Sequence, residues 1–171
     1  MKSDIKVEEV RLEFDYLNCR TPIKFGAVVM PGGSFATAHV TVSNRNGDTA
    51  TGIGGVLLAD FWAYPTAAHD HPERDRMMCT ATDMYGELVK DYPGYGHPLD
   101  IVMHLEPELK RICRRIENDF DMTEEFPLLA TLVSMSPVDA ALHDAFGVVN
   151  GIDTYAGYGP EHMEFDLSLH L

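Results

Sequence analysis

Three cysteines are too few and too scattered to organise this chain. Cys19, Cys79 and Cys113 are odd in number, widely spaced and show no C-x-x-C pair, which excludes a disulfide framework or a cysteine zinc site. Basic residues are also scarce. Against 27 Asp and Glu there are 13 Lys and Arg, a formal charge of -14, and a surface of that sign repels nucleic acid and anionic membranes. No apolar run approaches the roughly 18 residues of a membrane span, and Met1-Lys2-Ser3-Asp4-Ile5-Lys6 opens without a signal-peptide core. A reducing, cytoplasmic setting is expected. Internal repeats and low-complexity linkers are missing too, so 171 residues with 45% hydrophobic content predict a folded chain with one sizeable core.

The one basic cluster, Lys110-Arg111 with Arg114-Arg115, follows Glu106 and Glu108 at helical spacing. Intrahelical pairing explains it better than a ligand does.

The first third has strand periodicity. Ile5 and Val7, then Val10, Leu12, Phe14 and Tyr16, alternate with one change of phase near Glu8-Glu9, which predicts a long strand with a bulge. Pro22 to Gly33 is rich in breakers and is expected to be a long loop. Ala38, Val40 and Val42 alternate with His39, Thr41 and Ser43, and Asn46-Gly47 is a hairpin signal before a third strand from Thr49. A three-stranded antiparallel meander is the economical reading.

From Asp60 the period becomes helical. Met77, Met78, Ala81, Met84, Tyr85 and Leu88 form one apolar face, and Val102, Leu105, Leu109, Ile112, Ile116 and Phe120 another. Met77-Met78 and the lone Trp62 are expected in the core. A short helix is expected over 127–135, meeting a second at Ser136, where Ser136 as cap, Pro137 at the first position and Asp139 three residues on spell a start. Val138, Ala141, Leu142, Ala145 and Val149 then share a face, and Asn150-Gly151 spells a stop. Strands followed by three to four helices make the fold class α+β.

Two clusters have residue types suited to chemistry. His69-Asp70-His71 with Glu73 could ligate a metal, but a polar segment opening the helix from Pro72 explains it better. Ser136, Asp139 and His143 contain the members of a catalytic triad on one helix, yet such neighbours rarely assemble a nucleophile, base and oxyanion hole together. Capping and pairing are the better explanation.

The stretch Ser136 to Gly151, S-P-V-D-A-A-L-H-D-A-F-G-V-V-N-G, resembles the last long helix of the N-terminal capping domain of the enolase superfamily, in its mandelate racemase and muconate-lactonising branch. Thr21-Pro22-Ile23-Lys24-Phe25-Gly26 resembles that family's mobile loop. Asn46-Gly47-Asp48 leading to Gly52-Ile53-Gly54-Gly55 resembles its hairpin and second loop. Gly55 and Val148 depart from the pattern, where glutamate and lysine are common.

The resemblance implies an isomerase or lyase whose complete form removes a proton α to a carboxylate with magnesium, as racemase, cycloisomerase or dehydratase. That chemistry belongs to a (β/α) barrel, which needs about 200 residues or more. Residues 1–151 would be the cap and 152–171 a tail leading into an absent barrel. The chain alone is therefore expected to be non-catalytic and to bind no cofactor, with the barrel as partner and self-association as a further expectation. Thr21, Pro22, Lys24 and Phe25 in the first loop, and Gly52, Ile53, Gly54 and Gly55 in the second, would face substrate. Other readings are a stand-alone binding or assembly protein with this fold, or a small metal-binding protein using His69 and His71.

Overall fold

The structure, a computed structural model, describes residues 1–25 and 28–170. Three antiparallel strands, β1 (Ile5–Phe25), β2 (Val28–Asn44) and β3 (Thr49–Leu57), form one sheet in the order β1-β2-β3. Four helices follow: a single turn α1 (Asp60–Ala63) and the long α2 (His71–Lys90), α3 (Pro98–Asp119) and α4 (Leu128–Asn150). The fold is α+β, a meander followed by helices.

Ala36, Ala38, Val40 and Val42 are fully buried, so one face of β2 meets the helices while Thr37, His39 and Thr41 stay on the other. The expected bulge is present, as a register shift between Val7 and Glu9. Gly47 turns the β2–β3 hairpin at φ 87°, a conformation that favours glycine.

The breaker-rich segment is not a loop. β1 and β2 run on past the end of β3 as a long arm, paired as far as Asn18 with Gly32 and again from Ile23 with Met30 to Phe25 with Val28. Between those stretches Cys19, Arg20, Thr21 and Pro22 oppose only Pro31. Neither proline has an N–H to give the ladder, so the pairing is interrupted there and resumes beyond.

α4 also differs from expectation. It is one continuous helix through Pro137, and Ser136 is not its cap; the Ser136 hydroxyl donates to the carbonyl of Leu132 at 2.8 Å. The buried face runs without a break through Ala130, Ser134, Val138, Ala141 and Ala145, and that packing outweighs the local start signal. The stop is as expected, with Gly151 at φ 63°. Met77 and Met78 are buried, but Trp62 is 51% exposed on the short α1.

After α4 the chain packs back on the domain. A 3-10 helix (Thr154–Tyr158) lies on α4, Gly157 and Met163 are buried, and a second 3-10 helix covers Leu167–His170. No helix among the described residues is long and apolar enough to cross a membrane.

Candidate functional site

The arm carries the first group of expected contacts. Thr21, Pro22 and Lys24 are exposed on it; Gly26, Ala27 and the Phe25 side chain lie outside the described residues. Leu17, Ile23 and Val29 are 50%, 52% and 55% exposed, so the chain itself leaves about half of each apolar side chain in water. Leu17 and Ile23, with Cys19, Met30 and Leu57, line an almost wholly apolar groove of about 360 Å³. Gly32 makes the arm possible, since a Cβ there would come 2.3 Å from the Leu17 carbonyl oxygen.

A chain of hydrogen bonds ties the root of the arm to the helices. The Tyr16 hydroxyl is 2.9 Å from His71 Nε2, His71 Nδ1 is 3.0 Å from Asp60 Oδ1, and Arg74 Nε donates to Asp60 Oδ2 at 2.8 Å. Asp60 is 1% exposed and lies between its two partners. Burial, followed by the charges of Asp75, Asp60 and Cys19, pushes the Tyr16 hydroxyl above its ordinary value, so it stays protonated as the bond requires. Beside it Ser34 donates both its amide and its hydroxyl to Asp75, at 2.9 and 2.6 Å. Burial pushes the neighbouring Cys79 thiol up to about 11, which leaves it protonated and unreactive near neutrality.

Sequence reasoning missed this network. Tyr16, Asp60, His71 and Arg74 come from three separate elements, and no spacing rule brings them together. It also shows what the His69-Asp70-His71 segment does. Asp70 caps α2 in a reciprocal capping box with Glu73, both His71 nitrogens are engaged, and His69 Nδ1 is 3.4 Å from Glu73. Among the described residues no three of His, Cys, Asp and Glu are grouped to hold a metal ion.

The second group is not a turn. Gly52 and Gly54 lie inside β3 on the face covered by α4, and a Cβ at Gly52 would come 2.1 Å from the Ala145 nitrogen. At Gly54 it would come 2.1 Å from the Pro137 carbonyl oxygen. These glycines let helix and strand backbones touch and are buried. Gly55 faces the other way, against the Phe35 ring. Ile53 is exposed, and its amide donates to Asp144 of α4 at 2.9 Å.

Asp144 lines a second cleft of about 360 Å³ with Asp139, His143, Thr154, Tyr155 and Tyr158. Asp139 and His143 do pair, at 3.6 Å, and His143 Nδ1 is 2.9 Å from the Tyr158 hydroxyl. Burial raises the Asp139 carboxyl and lowers the His143 imidazole from their ordinary values. The third triad type is not part of this group, because the Ser136 hydroxyl is turned to its own helix.

No family model and no curated protein matches the sequence. Solved structures similar to the chain include an enolase from Bradyrhizobium complexed with magnesium and mandelic acid, at 16% identity over 88% of this chain and a TM-score of 0.44. Two others are an L-talarate dehydratase from Polaromonas sp. JS666 complexed with magnesium and L-glucarate, at 15%, 91% and 0.46, and an L-talarate/galactarate dehydratase from Salmonella typhimurium LT2, at 14%, 91% and 0.44. The chain spans about a third of those proteins, with 34%, 35% and 33% of their lengths covered.

Proposed function

We propose that this chain is the substrate-enclosing and specificity cap of a mandelate racemase/muconate-lactonising-like enzyme of the enolase superfamily. In this reading residues 1–151 are the cap, 152–171 pass toward a (β/α) barrel, and metal-assisted α-proton abstraction belongs to that barrel. The observation that carries the reading is the arm. A two-stranded extension with half-exposed Leu17, Ile23 and Val29, the first two lining an apolar groove, has the form of a lid whose covering surface lies outside the chain, where it would exclude water from a reacting centre. Thr21, Pro22 and Lys24 then reach the substrate first, and the Lys24 ammonium suits an anionic one. Among the described residues no three of His, Cys, Asp and Glu are grouped to hold a metal ion, and in this reading the magnesium belongs to the barrel.

Ile53 is the member of the second group placed to meet a ligand; Gly52 and Gly54 support it from behind by seating α4. Gly55 is exposed on the same sheet face as Ile53, where the Phe35 ring fills the space a side chain would take.

The test has two arms. With magnesium in heavy water, the purified chain is expected to exchange no α-proton of mandelate or an acid sugar; measurable exchange would overturn the division of labour between cap and barrel. The chain is also expected to self-associate or bind an apolar dye, and Ile23→Ser with Val29→Ser to reduce that. A strictly monomeric chain that binds no dye would remove the reason for calling the arm a lid.

A further inference from the structure

Two histidines meet over the segment that follows α4. His97 is 2% exposed and caps α3: its Nδ1 accepts the amide hydrogen of Leu99 at 3.2 Å, and its Nε2 lies 3.2 Å from the Gly157 carbonyl oxygen. A ring nitrogen that accepts an N–H must be bare, and a carbonyl only accepts. These contacts fix His97 as the neutral tautomer with its proton on Nε2. His143 reaches the same segment through Tyr158, and the two imidazole centroids are 6.4 Å apart. The Tyr158 ring is 5.7 Å from His97 and 5.8 Å from His143, with Phe146 packed 4.8 Å from His97.

The segment fits without slack. A Cβ at Gly157 would come 2.6 Å from the Phe146 ring, and one at Gly147 would come 2.4 Å from the Thr154 hydroxyl. Met163 is 5% exposed, and His162 packs edge-on to Phe146.

Protons disturb this arrangement in two ways. A proton on His97 Nδ1 would oppose the Leu99 N–H it now caps, at the helix end that already carries positive dipole charge. Two imidazolium rings this close would also repel each other across a partly desolvated contact. Asp4 and Asp100 face His97 with the opposite effect, Asp139 lies beside His143, and Tyr158 is held protonated by burial. Burial holds both imidazoles below their ordinary value, and for His97 the His143 charge adds to burial while Asp100 and Asp4 work against it.

We propose that His97 and His143 form a proton-sensitive latch, which holds Thr154 to Met163 against α3 and α4 while both are neutral and releases it when they are protonated. The sign follows from linkage. Histidines depressed in the closed form and ordinary in the open form take up protons on opening, so closure is complete above the ordinary value of 6.5 and weakens as pH falls below it. The dependence is about tenfold per pH unit for each histidine that takes a proton, and it levels off below their closed-form values. The latch rests on contacts within the domain and does not depend on the cap reading.

Amide hydrogen exchange by NMR on the whole chain, corrected for intrinsic rates, tests it. Between about pH 7.5 and 5.5 the Ala156 and Met163 amides, both hydrogen-bonded in this segment, are expected to lose about tenfold or more in protection. The Ala36 to Ser43 strand should hold its protection. In the double variant His97→Asn, His143→Gln, whose asparagine can still cap α3, the loss should vanish. Should that variant not fold, the ring-carbon titrations of His97 and His143 in the unaltered chain must track the loss of protection. Protection that does not change with pH, a loss that persists undiminished in the double variant, or histidines that titrate out of step with it, would overturn the latch.

Discussion

A Cβ placed on Gly52 would stand 2.2 Å from the carbonyl oxygen of Ala141. Strand β3 and helix α4 thus meet backbone to backbone, with Ala141 and Ala145 as the small residues on the helix side. Neither partner can yield by turning a side chain. Gly52→Ala must push helix from sheet, and is expected to lower stability by about 1–3 kcal/mol, the usual range for overpacking. At Gly55 the obstacle is the Phe35 ring, which can rotate, so Gly55→Ala should cost less. Urea midpoints for the two variants check the order, and a Gly52→Ala midpoint equal to that of the unaltered chain would mean the contact is looser than described.

Asp60 presents a different problem, a nearly fully buried carboxylate between Arg74 and His71. Arg74 also donates to the carbonyls of Thr66 and His69, so it holds the chain between α1 and α2 as well as the charge. Removing the guanidinium leaves the buried Asp60 carboxylate with His71 as its one remaining side-chain partner here, and Arg74→Met is expected to lower stability by about 3 kcal/mol, the low end for a broken buried pair. Denaturant unfolding gives the figure directly. Asp60→Asn together with Arg74→Met should recover part of the loss, because the stranded charge is gone; a double variant no better than the single would show that Arg74 acts through its carbonyl bonds alone.

Much of the fold was legible because burial leaves a period. Ala36, Ala38, Val40 and Val42 announce the buried face of β2, the phase change at Glu8-Glu9 marks a bulge, and Gly151 ends α4 where its left-handed conformation requires. Pro137 was misleading because a proline after serine is a good local start, whereas the continuous buried face from Ala130 to Ala145 is a tertiary fact that outweighs it. Pro22 and Pro31 misled in the same way. Each interrupts its own strand, yet the two fall opposite one another in a single bulge, and the ladder continues on the far side. Trp62 is exposed because its helix is a single turn with little surface to cover a large ring.

The candidate site was less legible than the fold. Glycines at alternate positions in β3 look the same in sequence whether they approach a ligand or a helix, and only the position of α4 decides for Gly52 and Gly54. The Tyr16–His71–Asp60–Arg74 chain needs three elements in place before it exists. By contrast Asp139 and His143 are paired by helical spacing alone, and that much was readable in advance.

The arm provides the last prediction. Short of the bulge, β1 and β2 are backed by helices and joined by β3; beyond it, Ile23, Lys24 and Phe25 pair with Met30, Val29 and Val28 as a hairpin only two strands wide. A two-stranded hairpin alone is marginal in water. It should open without the rest of the sheet, as a separate unit of low local stability. Amide exchange is therefore expected to step up across the bulge, with the hydrogen-bonded amides among Ile23, Lys24 and Val29 exchanging at least about a hundredfold faster than those of His39 and Thr41. Cys19, Arg20 and Thr21, which have no partner in the β1–β2 register, should exchange near the unprotected rate. Slow exchange at Lys24 and Val29, equal to the central strand, would mean that the arm is a rigid part of the sheet, and a closing lid would then have to be sought elsewhere in the molecule.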